Sequence, residues 1–566
     1  MVSSICMDAA ALPRRAAATA MAAMAVAGFC TTASANPIAD ENALTGTDRW
    51  DLAPPPQPAI EGYSTEPSAA PGDTFHLHVW APAADRYRIL VYRLGWYGGD
   101  GGRQVACIPG CDSDEPAIAQ GRFPAPDPFT GRIDARWRVS DELQVGRDWV
   151  SGYYVAVLRV TDGPDKGAVG RIPLIVRGAP SDRAAILVQV PVNTWQAYND
   201  WGGKSLYPFN SSDGVAAVKA SFNRPYAEDT PVKVPFELEL PVVRFLEREG
   251  YDVSYATDVD VDRTPELLMH HRLVMSIGHD EYWSRAMRKA FNSAQRRGTN
   301  IAVMGSNAGY WQTRYEDGHL TLVEYRSALN DPVKNTALRT LQFRALRPAL
   351  PECRLFGVAY QYYAQRAMDA PASSYTVAAS ASDRWLDGTG LSPGDRVPGV
   401  VGYEWDGLAP GCFPGKVTTL LRATAVGADG KQHHAQAIRA VARSSGARVF
   451  ATGSLEFGWG LDLYGGHHPS DGLQQLMRNA LDDLTRPAAP AALHARHSRH
   501  GVSLRAVLAG KDPRVAQVLI YRGSQLVCRT HGGVCRDPSG GRAARYSALA
   551  EDRWGRSRAT FAKTVR

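Results

Sequence analysis

Beyond residue 35 the sequence contains no apolar run long enough to cross a bilayer, which excludes further membrane-spanning helices. It has no paired C-x-x-C motifs and no matched histidine pair beside its cysteines, which argues against a structural zinc site. It has no internal repeat, so a solenoid or propeller is excluded. It has no polar or charged bias of the kind that prevents folding: 44% of residues are hydrophobic and 21% charged. A chain of 566 residues is too long for one core, and three domains are expected.

The one apolar run lies at the start. Arg14 and Arg15 precede an Ala-rich stretch, Ala16 to Phe29, and Ala33-Ser34-Ala35 fits an A-x-A cleavage site. Residues 1–35 are therefore expected to be a signal peptide, and the protein to be exported to the periplasm or beyond. The arginine pair also permits the twin-arginine route.

Cysteine usage agrees with export. Cys6 and Cys30 leave with the signal, and six remain in close pairs. The expected disulfides are Cys107–Cys111, Cys353–Cys412 and Cys528–Cys535.

Charge is unevenly placed within a formal total of +6. From Arg486 onward sixteen Arg and Lys face four Asp and Glu, a local balance of +12. The balance of residues 36–485 is then −7, once the +1 of the signal is set aside. A basic tail on an exported protein favours an anionic envelope surface or an acidic glycan over nucleic acid.

The texture of the chain changes several times. Residues 36–65 are Pro-rich without periodicity and are expected to be a linker. Residues 66–180 hold short alternating strands: Phe75–Val79, Tyr87–Tyr92, Tyr153–Leu158 and Ile172–Val176. Gly and Pro turns separate them, as in an immunoglobulin-like β-sandwich. Residues 181–485 alternate strands with helices. The strands are Ala185–Val190, Asp252–Tyr255, Arg272–Ile277, Ile301–Met304 and Ala447–Ala451. The helices are Val242–Glu249, one opening at Thr264-Pro265, one capped by Ser284 and running to Arg297, and Gly466–Leu484. That order predicts a mostly parallel sheet with helices on its faces. Residues 486–566 are expected to be a small basic immunoglobulin-like β domain.

In an open α/β sheet, ligands bind at the carboxyl ends of the strands. Three loops stand there: Val192–Asn199, Gly278–Trp283 and Gly305–Gly309. His279 and Glu281 lie two apart, so in extended backbone both face one side and can converge on a metal ion. Tyr198 can add a phenolate, which is hard and anionic and suits ferric iron; His plus carboxylate alone also suits zinc. Asp280 faces the other way and is expected to be a structural hydrogen-bonding residue. G-x-N-x-G at 305–309 is expected to be a strand-to-helix turn of the kind that carries a nucleophile in other α/β enzymes. Asn307 cannot be a nucleophile, but it can orient a carbonyl or stabilise an oxyanion. A metal-bound water is then the natural attacking group.

The stretches Tyr92–Arg103 (YRLGWYGGDGGR), Asn193–Tyr207 and Gly278–Ser284 resemble the N,N-dimethylformamidase large (β) subunit family. Gly402–Asp406 and Gly453–Gly460 resemble it as well, and the likeness covers roughly residues 75–485. The resemblance implies a β domain followed by a glutamine-amidotransferase-like α/β domain. It implies a mononuclear non-haem ferric centre on Tyr198, His279 and Glu281. It implies that Asn307 and Glu404 assist amide hydrolysis. Arg326 takes the place of a family lysine; a guanidinium does not deprotonate, so it keeps the charge without moving protons. Trp195, Trp283 and Trp459, within the aromatic stretches, are expected to contact substrate.

The expected function is thus an exported hydrolase of a C–N amide bond on a small-molecule or envelope-derived substrate. Dimethylformamide need not be that substrate. A small subunit and an oligomer are both compatible with the resemblance. The alternative is an envelope glycan-binding protein without turnover. A third reading is a carbohydrate-active or esterase-like hydrolase on the same fold.

Overall fold

The computed structural model describes residues 36–228, 235–364, 373–380, 382–486, 490–508, 517–531, 534–541, 544–552, 555–556 and 560–563. The expected signal peptide, residues 1–35, lies outside them. Among the described residues no helix is long and apolar enough to cross a membrane.

The protein is mainly β, with several sheets and fewer helices. Residues 36–65 differ from the expected linker. A short helix, Pro37–Asn42, is capped by the Asn36 side chain, which accepts from the amides of Ile38 and Ala39. Ile38 is fully buried, and the Glu41 carboxylate accepts from Tyr97 and Arg103. The strand Glu61–Ser64 then pairs with Thr74–Trp80. The prolines punctuate an ordered segment held by burial and ion pairs.

Two antiparallel sheets follow. One contains Glu61–Ser64, Thr74–Trp80 and Asp141–Gln144; the other is built on Arg86–Leu94, Gly102–Ile108, Gly152–Asp162 and Val169–Val176. Phe75, Leu77 and Val79 from the first share a core with Ile89, Val91, Ala156 and Leu174 from the second. Alternation of apolar and polar residues places one face of each strand in that core.

The central sheet has nine strands: β1 (Ile186–Val190), β2 (Val253–Thr257), β3 (Leu273–His279), β4 (Asn300–Ser306), β5 (Ser373–Val377), β6 (Arg396–Val401), β7 (Gly415–Val426), β8 (Gln432–Ala442) and β9 (Arg448–Ala451). Their order is β2-β1-β3-β4-β9-β8-β7-β5-β6. The first five in that order are parallel, and the remaining pairings are antiparallel. The expected parallel sheet is therefore only half of the whole. The antiparallel half comes mainly from the long hairpin β7–β8, in a stretch without clear helix or strand periodicity.

Both faces of the parallel half are covered. Ile186, Val188, Met275, Ile277, Ala302 and Met304 point into one core, while Leu187, Val274, Ile301 and Val303 point into the other. The first core also takes in Tyr92, Tyr153 and Val155 from the preceding antiparallel sheet. A buried ion pair crosses the same contact: Arg93 donates to Glu247 at 2.8 and 2.9 Å, and Tyr255 donates to the same carboxylate at 2.9 Å. Every heavy oxygen of that carboxylate is thus engaged, which offsets the cost of burying it.

The described strands between residues 490 and 563 form two further small sheets around Val502, Leu504, Val518, Ile520 and Ala548. All three expected disulfides are formed. Cys528 and Cys535 do not flank a simple hairpin; they lie in strands of different sheets and join them.

Candidate metal centre

The site is built at the carboxyl edge of the parallel strands. After β1 the chain enters the helix Val192–Tyr198, not the expected loop, and all seven of its residues are buried. Tyr198 stands at its last turn. After β3 come Asp280 and Glu281, with His279 as the last residue of the strand. After β4 comes Asn307, held in the left-handed region at φ 57°. Glu404 opens the strand Glu404–Leu408, whose Asp406 amide bonds to Gly453 just beyond β9.

The turn at 305–309 leads into a strand, Trp311–Glu316, and not into a helix. The amide of Gly309 donates to the Asp280 carbonyl, and those of Tyr310 and Trp311 donate to the Glu281 carbonyl. These bonds draw the chain into pairing with Tyr282–Ser284 before a helix can start.

Three polar groups converge on one oxygen of Glu281. Tyr198 Oη donates to Oε2 at 2.9 Å, Tyr207 Oη donates to it at 2.8 Å, and His279 Nε2 lies 3.5 Å away. The same His279 nitrogen is 3.4 Å from Glu404 Oε2. Asn307 Nδ2 donates to that Glu404 oxygen at 2.8 Å, while the Asn307 backbone amide donates to Asp406 at 2.8 Å. Neither ring nitrogen of His279 has a hydrogen-bond partner, and the residue is wholly buried.

Electrostatics reflect crowded carboxylates in a dry place. Burial alone pulls His279 down, but Glu404, Glu281 and Glu239 outweigh it and hold the imidazole up at about 9. Burial raises Glu281, against the pull of His279. Burial and the Glu281 charge raise the Tyr198 phenol well above its usual range. Burial likewise lifts Glu239 to about 7, although Trp195 Nε1 donates to it at 3.1 Å. Gly278 makes that neighbour feasible: its φ is 63°, and a Cβ there would lie 2.5 Å from the Glu239 carboxylate.

Two ligands about 2.1 Å from an ion and at right angles lie about 3 Å apart. The oxygen–oxygen and oxygen–nitrogen separations around Glu281 Oε2, 2.9 and 3.5 Å, are of that order. The donors are a phenol, an imidazole and a carboxylate, a set that fits a hard trivalent cation. A buried histidine that meets Glu281 and Glu404 only loosely, at 3.5 and 3.4 Å, leaves room among clustered carboxylates for a further positive charge. Among the described residues, no group of three or more His, Cys, Asp or Glu side chains forms a metal-site cluster, so this set depends on the tyrosine.

Asp280 is turned away, as expected. It accepts from Gln189, Ser276 and Trp283, and burial, partly offset by those bonds, lifts it to about 6. The three tryptophans expected to contact substrate pack in the interior instead. Trp283 is fully buried between Phe291 and Phe356, Trp195 is 1% exposed against Tyr153 and Phe236, and Trp459 is 7% exposed and stacked on His467.

Other aromatics border the centre. Tyr207, Tyr310, Trp311 and Tyr360 are half-buried. Tyr207 bonds to Glu281, and the charges of Glu281 and Glu404 reach both Tyr310 and Tyr360. Tyr207 and Trp311 carry between them the guanidinium of Arg326, 4.1 and 5.0 Å from their ring centres. Sequence spacing gives no sign of this rim, because Tyr207, the adjacent pair Tyr310-Trp311 and Tyr360 come from three distant parts of the chain.

Residues 88–471 match the family model described as N,N-dimethylformamidase beta subunit-like, C-terminal. No curated protein matches the chain. Among solved structures, the mmIFT52 N-terminal domain is similar over 42% of this chain and 87% of that one, at 12% identity and a TM-score of 0.24. A likeness that slight carries no argument.

Proposed function

This chain belongs to the N,N-dimethylformamidase beta subunit-like family, and from that premise we propose that it is an exported hydrolase of a C–N amide bond. The observation that carries the reading is the meeting of Tyr198, His279 and Glu281 around one carboxylate oxygen, with Asn307 and Glu404 beside it.

Tyr198, His279 and Glu281 would hold a mononuclear ferric ion, with zinc as the alternative. When bound, such an ion supplies Lewis acidity toward a carbonyl oxygen and lowers the pKa of water. Glu404 would take the proton from the attacking water as the C–O bond forms. It would return a proton to the nitrogen as the C–N bond breaks, releasing a carboxylic acid and an amine. Asn307 spends one amide hydrogen on Glu404 and keeps the second for the carbonyl oxygen, where negative charge develops. The Asp406 bond to the Asn307 backbone fixes that orientation. Arg326 holds charge at the rim without moving protons.

The same reading extends to the rest of the chain. Residues 1–35 would be removed on export, and the three disulfides suit an oxidising compartment. The basic residues from 486 onward would attach the protein to an anionic envelope surface. The paired antiparallel sheets would be an immunoglobulin-like sandwich, and the central sheet a glutamine-amidotransferase-like domain.

The test uses the full chain produced with its leader and purified from the exported fraction. We expect a mature start near Asn36, about one iron per chain by elemental analysis, and amine release from simple amides. Tyr198→Phe should lose the iron and the visible absorption of a phenolate–iron contact. Iron retained in Tyr198→Phe, or amide hydrolysis by metal-free protein, would overturn the metal assignment.

A further inference from the structure

The guanidinium of Arg326 is a half-buried cation without an ion-paired carboxylate; Glu324, which accepts from its backbone amide, and Glu281 act on it only from farther off. Among the described residues no Asp or Glu oxygen lies within 4.0 Å of it in an ion pair. Its one side-chain hydrogen bond runs from Nη2 to the hydroxyl of Tyr282. Nε is buried without a partner, and Nη1 makes no hydrogen bond among the described residues. Tyr207 and Trp311 flank the guanidinium, with its carbon 4.1 and 5.0 Å from their ring centres. The backbone adopts φ 53°, a conformation that disfavours a long side chain.

A structural arginine in such a place is normally tied to a carboxylate, because an unpaired buried charge is costly. Here the side chain is oriented by rings while most of its donors are unused. Tyr207, against which it rests, donates to Glu281 at 2.8 Å. The unused donors are therefore separated from Glu281 by one tyrosine ring. A planar fork of N–H groups matches a carboxylate in two parallel hydrogen bonds.

We propose that Arg326 is a specificity-determining residue that binds a carboxylate on the substrate, so that the amide hydrolysed is an N-acyl amino acid or a compound of that shape. This rests on the amide-hydrolase reading above. The acyl carbonyl would lie at Asn307 and Glu404, and the carboxylate would cross the Tyr207 ring to Arg326. Tyr310, Trp311 and Tyr360 would enclose the short chain between them.

The test separates the two ideas by measuring binding as well as turnover with the holoenzyme. For binding, 4-oxopentanoate has the shape of N-acetylglycine with a ketone in place of the amide, and 5-methylhexan-2-one is its neutral counterpart. Calorimetry should show the anion bound at least tenfold more tightly than the neutral ketone. Arg326→Gln should remove that preference, and Arg326→Lys, which keeps charge but loses the fork, should remove about half of it on a logarithmic scale. For turnover, N-acetylglycine should exceed N-isobutylacetamide in kcat/KM through a lower KM, and Arg326→Gln should raise that KM. Unchanged 4-oxopentanoate affinity in both folded variants, or a wild-type preference for the neutral ketone, overturns the proposal. Arg326-dependent binding without hydrolysis of any amide would sustain the carboxylate site and sink the hydrolase reading.

Discussion

Asn307 reaches Glu404 across 2.8 Å with its side chain while its backbone amide is anchored to Asp406 at the same distance. One residue thereby ties two carboxylates of the strand Glu404–Leu408 to the turn after β4. The left-handed backbone at φ 57° is what allows both bonds at once, since the side chain and the amide must leave the turn on compatible sides. Asn tolerates that conformation better than most side chains.

Asn307→Ala should therefore keep any bound metal and lose rate. Removing one donor aimed at developing oxyanion charge costs on the order of 10² to 10³ in kcat. Release of Glu404 from its partner adds to the loss. Steady-state kinetics beside elemental analysis check this. A fall in metal content equal to the fall in rate would place Asn307 among the groups that hold the ion instead.

Trp283→Ala should act on stability and not on KM. Its ring is fully buried, contacts Phe291 at 4.2 Å between centroids, and donates to Asp280 at 2.7 Å. Truncating a buried aromatic of this size costs about 3–5 kcal/mol, read by denaturant unfolding. Trp311→Ala, at the rim, should raise KM with a smaller change in stability. If Trp283→Ala folds with unchanged stability and a raised KM, the ring contacts substrate after all.

The contrast between these tryptophans shows what was legible in the sequence. Periodicity located every strand of the parallel half, because Leu273–His279 and Asn300–Ser306 are buried on both faces and nearly continuously apolar along their middles. The i, i+2 spacing of His279 and Glu281 does bring their side chains together, with Nε2 3.5 Å from Oε2, and Tyr198 Oη meets the same oxygen at 2.9 Å. The cap at Ser284 was also legible, since its hydroxyl accepts from the Met287 amide. The helix Val192–Tyr198 was hidden by its composition, which is buried all round and lacks an amphipathic stripe. The antiparallel half was hidden because β7 and β8 are rich in small and polar residues and carry few large apolar ones to mark a period. Aromatic motifs were legible as motifs but not as orientations: whether a tryptophan faces the core or the site is settled by packing on the neighbouring element.

The disulfide Cys353–Cys412 should be the most stabilising of the three. It closes a loop with a sequence separation of 59, against 4 and 7 for the others. Loop-closure entropy then gives about 4 kcal/mol. The paired substitution Cys353→Ala with Cys412→Ala should lower unfolding free energy by about that much, while Cys107→Ala with Cys111→Ala should have a smaller effect. Equal losses from the two pairs would show that the bridges act through local geometry and not through the length of chain they constrain.

Glu239 should make the metal-free protein less stable as pH rises through mild acidity. Burial is the dominant influence and lifts its pKa from 4.5 to about 7, with the bond from Trp195 opposing. The folded state thus retains a proton that the unfolded chain has already released. Below pH 4.5 both states are protonated and the contribution is complete; it is lost progressively until the folded group ionises near pH 7. A shift of this size corresponds to roughly 3 kcal/mol. Chemical unfolding of metal-free protein between those limits should show the decline, and Glu239→Gln, which stays neutral, should remove most of it. The bond from Trp195 Nε1 can persist to the Gln carbonyl oxygen, so the variant tests the charge and not the packing. A slope unchanged by Glu239→Gln would assign the decline to the other carboxylates around His279.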